Sequence, residues 1–482
     1  MANAALKNKD YSDRKLLVRE VSPNQSHRGP QLIASSIGWP DRKKFDRSLI
    51  EFFKDPKNFK FFGNMAWETQ ELKQACGDVQ ARAYKDFGHF EDAFIGIYNI
   101  FRNLKDILQF PDIRDFRSKR PGILISAGPS LDREWENLKK AYETDHFVIV
   151  AVDAVFHDCV KRGIYPDFVF STERMGKSHF FFETEIAKKA LLEKKTIPVF
   201  SHVCDLRVTQ QECFRAYAVR DDYNRNFFGW HNRAKVLAFP SVAPTALACM
   251  AEMEIETIAL VGQDVCYKKV DKGLMGYADL SVPEFEEWKT PLTDILNLVE
   301  IEANILTEPE QAMRFASGTW RQFKYHLEET IAHYRLRVIN SSFDGARICG
   351  APYGSLSDFI KWHTPSSDAN ISSQKITLVE DFKSRSVIEK KYIKNKIKKI
   401  YKDVCEGKFN SLSPEYFLYK SELSPLVQSA MTESFVAYEA NLWEEPENEK
   451  EILKEFQEVQ RRALDSVKKC LESTGFVDLK TS

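Results

Sequence analysis

Between residues 118 and 365 the chain alternates short runs rich in β-branched and aromatic residues with stretches of helix length, and this alternation constrains its fold most. The runs are "GILIS" (122–126), "HFVIVAV" (146–152), "DFVFST" (167–172), "IPVFSHV" (197–203), "KVLAFPS" (235–241), "TIALVG" (257–262) and "RLRVINS" (335–341). Most are apolar throughout rather than at alternate positions, as strands buried on both faces must be. Segments 131–142, 153–162, 183–194 and 242–253 lie between them and are long enough for helices. The expectation is an α/β class: a Rossmann-like, mainly parallel sheet with helices on both faces.

The flanks read differently. Residues 1–40 are polar, contain Pro and Gly, and suggest a loosely ordered lead-in. From 41 to 117 the pattern is mainly helical, with "RSLIEFFKD" and "FEDAFIGIYNIFRNLKDIL" carrying apolar residues at three- and four-residue spacing. The aromatic stripe there reads as packing. Residues 375–482 form an expected helical C-terminal domain, in which "VIEKKYIKNKIKKIYKD" sets Ile393, Ile397, Ile400 and Tyr401 on one face and lysines elsewhere. That lysine run reads as a solvated face, or else as a docking surface for an acidic partner or lipid headgroups. Segment 447–473 is a second amphipathic helix.

The totals exclude several classes. At 482 residues the chain is longer than one core usually holds, which predicts two or three domains. Charge is balanced, 69 basic against 70 acidic residues, so nothing in bulk electrostatics invites nucleic acid. The longest apolar run, "FVIVAVDAVF", is interrupted by Asp153 and falls far short of a membrane span, and the N-terminus lacks the apolar core of a signal peptide. Nine cysteines scattered without CxxC pairs argue against a disulfide framework or a zinc site, and the ten histidines show no metal spacing. The reading is a soluble cytoplasmic protein without membrane insertion.

Chemistry in a parallel α/β sheet gathers beyond the carboxyl ends of its strands, so the residues after each run matter most. The first run ends in Ala127, Gly128, Pro129 and Ser130 before Leu131 and Asp132 open a helix. Gly128 removes a Cβ where backbone approaches a ligand, and Pro129 and Ser130 suit a helix start that attracts phosphate. The Gly-Lys-Ser/Thr element of a P-loop is missing. Asp153 follows the second run, either as a helix cap or as a ribose or metal contact. Asp167 precedes the third run and Glu173 and Arg174 follow it. Ser241 and Thr245 straddle the next helix start, and "GQDVCY" supplies Gly262, Gln263, Asp264 and Tyr267. The last run ends at Asn340, in "NSSFDGARICG". So many polar tips in one relative place would line a single crevice and predict a nucleotide-dependent site.

Read in order, "GILISAGPSLD", "PDFVFSTER", "SVAPTALACMAEMEIETIALVGQDVCY" and "RVINSSFDGARICG" resemble the motility accessory factors, flagellin-modifying glycosyltransferases. These sit in a wider family with the MptE-like 6-hydroxymethylpterin diphosphokinases. The resemblance covers roughly residues 85–360 and implies a central domain similar to bacterial sialyltransferases. It implies a donor that is a CMP-activated nonulosonic acid, such as pseudaminic or legionaminic acid. The implied acceptor is a Ser or Thr hydroxyl of flagellin. The sialyltransferase Thr-Ser-Gly element has Ser241, Val242 and Ala243 as counterparts, and its Gly-x-Asp element has Gly262, Gln263 and Asp264. Two departures stand out: Pro240 where the family often has glycine, and Glu173 where many relatives have Asp.

On this reading Gly128, Pro129, Ser130, Ser241 and Thr245 hold phosphate or ribose, and Asp153, Gln263 and Asp264 bind ribose, base or sugar hydroxyls. Asp264 or Glu173 takes the acceptor proton, while Arg174 or Tyr267 opposes charge on the leaving phosphate. No cofactor is required. The alternative is an MptE-like diphosphokinase moving diphosphate from ATP to a pterin-like alcohol, with Mg²⁺ held by Asp153, Asp167, Glu173 and Asp264. A third reading is a non-catalytic flagellar assembly scaffold.

Overall fold

The computed structural model describes residues 90–221, 223–237, 241–270, 273–281, 298–304, 313–365, 375–379, 382–428, 430–431 and 446–477. The predicted lead-in and the "RSLIEFFKD" helix lie outside the described residues. Among those described, 95–398 with 473–477 form one compact unit, and 90–94 with 399–472 belong to another.

The larger unit is built on a seven-stranded sheet. Its strands are β1 (Gly122–Ile125), β2 (Val148–Val152), β3 (Phe168–Ser171), β4 (Ile197–Ser201), β5 (Ala216–Ala218), β6 (Thr257–Val261) and β7 (Arg337–Asn340). Their order is β7-β6-β1-β2-β3-β4-β5, and every neighbouring pair is parallel. All carboxyl ends therefore share one edge. The chain runs outward from β1 to β5, then returns to lay β6 on the other side of β1. Strand order thus reverses between β1 and β6, where open parallel sheets take their ligands.

Six of the seven expected strands are present. The exception is "KVLAFPS": of its described residues, Val236 makes only an isolated bridge to Arg220. Val236 is apolar because it is buried in the core, not because it has a ladder partner. The remaining sheet position is filled by Ala-Tyr-Ala at 216–218, an edge strand too short to announce itself in the sequence.

The intervening helices fall where periodicity put them: α2 (Trp135–Glu143), α3 (Asp153–Lys161), α4 (Glu185–Leu192) and α5 (Val242–Glu252), after α1 (Phe90–Ile107). Further on come α6 (Gly318–Tyr334), α7 (Leu356–His363), α8 (Phe382–Cys405) and α9 (Glu449–Ser473). Leu124, Val150, Phe168 and Phe170 pack with Ala246–Met250 of α5 and with Leu327 and Ile331 of α6. On the opposite face Phe200 of β4 meets Phe182 at 5.6 Å between ring centroids, and Phe182 meets Phe156 of α3 at 6.2 Å. Both faces are covered, which is why the strands carry no polar alternation.

Helix α1 reaches the carboxyl edge of the sheet. Asn99 Nδ2 donates to the Arg174 and Val203 carbonyls at 2.8 and 3.0 Å, and Asn103 Nδ2 to the Cys204 carbonyl at 2.7 Å. In α8, Ile393, Ile397, Ile400 and Tyr401 are buried, as their spacing predicts. In α9 the buried stripe runs through Ile452, Phe456, Ala463, Val467 and Leu471. Among the described residues no helix is long and apolar enough to cross a membrane, and every cysteine is a free thiol.

Candidate functional site

The tips of β1 and β6 close on each other. Gly128 N donates to the Gly262 carbonyl at 2.8 Å, extending the ladder contact of Ser126 N with the Val261 carbonyl. Gly262 has φ +66° and no room for a Cβ, which would lie 2.2 Å from the Ser126 carbonyl oxygen. Gly128 has ordinary φ but equally little space: a Cβ would sit 2.2 Å from Asp264 Oδ2. The close approach expected at Gly128 is therefore made by a neighbouring strand tip of the same chain.

Asp264 is buried at the centre of this junction. Its Oδ2 accepts from Ser130 N at 3.2 Å and Ser130 Oγ at 2.8 Å. Its Oδ1 has no hydrogen-bond partner among the described residues. Burial pushes the carboxyl up to about 6, the Asp344 charge adds to the rise, and the Ser130 hydrogen bonds oppose it. Pro129–Arg133 is a short 3₁₀ turn rather than the start of an α-helix, and its Ser130 N–H is taken by Asp264. The anionic group held at this turn in the structure is a carboxylate of the chain itself.

Around Asp264 the tips of β6 and β7 form a polar network. Ser126 Oγ donates to Gln263 Oε1 at 2.7 Å, and Asn340 Nδ2 to the Gln263 carbonyl at 3.4 Å. Asn340 Oδ1 accepts from Ser342 N at 3.1 Å, and Ser342 Oγ lies 2.9 Å from Ser130 Oγ. Asn304 adds a clamp, with Nδ2 on the Ser342 carbonyl at 2.9 Å. Ser126, Ser342 and Asn304 were not singled out from sequence. Ser126 and Ser342 stood inside the quoted motifs, whereas Asn304 is far from any motif. Tyr267 leaves this network: its ring stacks on Trp320 with centroids 4.2 Å apart.

A second carboxyl cluster forms at the tips of β2 and β3. Asp153 Oδ2 accepts from Ser171 Oγ at 2.6 Å, and Oδ1 from Ala154 N at 2.9 Å. Burial pushes Asp153 up to about 7, with the charge of Glu173 adding to the rise. Glu173 itself is exposed. Asp153 is the first residue of α3, and its carboxyl serves both the helix start, through Ala154 N, and the tip of β3, through Ser171.

Other expected residues go elsewhere. Asp167 sits at the amino end of β3, on the opposite edge of the sheet, where it accepts from Ile149 N at 2.8 Å and pairs with Lys375 at 3.0 Å. A residue before a parallel strand cannot reach the edge where its tip ends. Arg174 lies against Gly96 of α1, where an added Cβ would come within 3.1 Å of Nε. Thr245 is buried and donates to the Ser241 carbonyl at 3.0 Å, a bond within its own helix. Ser241 is the N-cap of α5 without a side-chain cap bond.

The family model of the 6-hydroxymethylpterin diphosphokinase MptE-like proteins matches residues 98–270, a span that holds the β1 and β6 tips. No protein of curated function matches the sequence. Among solved structures, the chain is similar to the MAf glycosyltransferase from Magnetospirillum magneticum AMB-1, with a TM-score of 0.52 and 13% identity. The similarity covers 85% of this chain and 64% of that one, so the two share a fold while the solved protein extends well beyond it. The match over residues 98–270 is to the MptE-like family, the one that the strand-tip motifs resemble.

Proposed function

We propose that the chain is a cytoplasmic glycosyltransferase of the motility accessory factor type. It moves a nonulosonic acid from a CMP-activated donor to a Ser or Thr hydroxyl of flagellin. The observation that carries this reading is Asp264: a buried carboxyl raised to about 6 by burial, with Oδ2 held by Ser130 and Oδ1 unengaged among the described residues. A carboxylate of that basicity suits removal of a proton from an alcohol near neutral pH. In the transfer the acceptor oxygen bonds to the anomeric carbon. The bond to the phosphate oxygen breaks, CMP leaves with the electron pair, and the acceptor proton passes to Asp264. Glu173, exposed beside Asp153, is the second acidic group offered to the sugar or its acceptor. The likeness in fold to the Magnetospirillum enzyme supports the reaction class.

The name of the matching family favours a second reading, diphosphate transfer from ATP to a pterin-like alcohol. That reading needs Asp153, Asp167, Glu173 and Asp264 around one Mg²⁺. Asp167 lies on the far edge of the sheet from Asp153, Glu173 and Asp264.

Calorimetry separates the readings. Titration with CMP is expected to give binding that survives chelation of divalent cations. Asp264→Asn should bind CMP within a few-fold of the parent while losing roughly 10²–10⁴-fold in transfer rate. Binding of ATP alone, and only with Mg²⁺, would replace the transferase with the kinase. Binding of neither nucleotide, with Asp264→Ala retaining its cellular phenotype, would leave the scaffold.

A further inference from the structure

We propose that the open face of α8 between Lys383 and Lys398 docks on the surface of an anionic lipid bilayer. The inward face of this stretch is apolar and ionically satisfied, with Ile393, Ile397 and Glu389 buried. The outward face carries Val387 and Ile388, adjacent β-branched side chains that are 71% and 72% exposed. At 3.6 residues per turn Lys383, Val387, Lys391, Lys394 and Lys398 fall within an arc of roughly 80°, bordered by Ile388. Those four lysines are exposed and have no acidic partner among the described residues. The stretch from Lys383 to Lys402 holds nine basic residues and one acid, Glu389, which faces inward to Arg233.

The kinds of cation point to lipid rather than to an acidic protein segment. Arg385, the one arginine of the helix, is used inside, where it grips both oxygens of Asp115 at 2.7 and 2.6 Å. Everything offered outward is lysine, a compact charge that suits a fluid layer of headgroups and gives up the fixed fork that recognises individual carboxylates. Two bare aliphatic side chains standing among those lysines add an apolar foothold at the headgroup boundary. The face runs about 22 Å along a single helix, flat enough to lie on a bilayer.

The test is co-sedimentation of the full chain with vesicles of phosphatidylcholine alone or with about 30% phosphatidylglycerol added, a composition that sets the surface potential. The chain is expected to bind the anionic vesicles only, and to release in about 0.5 M salt. The K391E/K394E/K398E variant should lose roughly 100-fold in affinity, and V387S/I388S roughly tenfold. Circular dichroism checks folding, and if the charge-reversed chain does not fold, V387S/I388S decides alone. Failure of the parent chain to bind anionic vesicles overturns the proposal. So does vesicle binding that V387S/I388S leaves unchanged, and equal binding to poly-L-glutamate in that case assigns the face to an acidic polypeptide.

Discussion

At Gly128 an alanine methyl would sit 2.2 Å from Asp264 Oδ2 and 2.5 Å from the Gly262 carbonyl oxygen, and the second of these is backbone held by its own ladder bond. Gly128→Ala should therefore lower stability by about 1–3 kcal/mol, read as a lower urea midpoint at neutral pH. That the turn needs a glycine was legible in the sequence, but the neighbour that demands it, Asp264, lies 136 positions further along the chain and was not. Asp153 carries a pH dependence of its own. Its carboxyl is raised to about 7 in the folded chain from an ordinary value of 3.8, so the folded state holds the proton more tightly. The resulting stabilisation is complete below about pH 4 and is lost as pH rises through 7, on the order of 4 kcal/mol in all. Asp153→Asn, fixed in the neutral form, should match the parent near pH 4 and melt at a higher temperature at pH 8. Equal melting curves at pH 8 would sink the assignment.

Among the elements, α1 is tied to the carboxyl edge of the sheet by two asparagines. Asn103 is buried, donates to the Cys204 carbonyl and accepts from Thr209 Oγ1 at 2.7 Å. Asn103→Ala takes the donor from the buried Cys204 carbonyl and leaves Thr209 Oγ1 only its longer bond to the Leu206 carbonyl at 3.3 Å, so about 1–3 kcal/mol of stability should go, measurable by denaturant titration. Helix α1 was legible because its apolar residues recur at helical spacing; its purpose was not, since a polar residue on an apolar face names no partner. The strands divide the same way. Longer apolar runs betray themselves, whereas Ala-Tyr-Ala at 216–218 owes its place to β4 beside it, and Val236 is apolar for reasons of burial.

Over the larger unit, distant segments are joined by one buried charge. Arg233 is fully buried, with Nη2 donating to Glu389 Oε2 at 2.8 Å and to the Ile107 carbonyl at 2.9 Å. Glu389→Ala leaves that guanidinium with Asp112, 3.9 Å from Nη1, as its remaining buried counter-charge and takes away the acceptor of Nε and Nη2. It should cost about 2–4 kcal/mol, seen as a fall in melting temperature. Nothing in the sequence pairs these residues, which stand 156 positions apart. Local pattern, by contrast, was enough for the α/β class, for six strands and for the helices between them, because periodicity reports which faces a segment buries. It was also enough to gather Ser130, Asp264, Gln263 and Asn340, because in a parallel sheet every residue after a strand arrives at the same edge. Three-dimensional packing alone settled which tips touch. Strand order set β1 against β6, filled the Ser130 turn with Asp264, joined Asp153 to Ser171, and left Asp167 on the far edge. Register and strand order are fixed by contacts between segments, and a one-dimensional pattern carries no record of them.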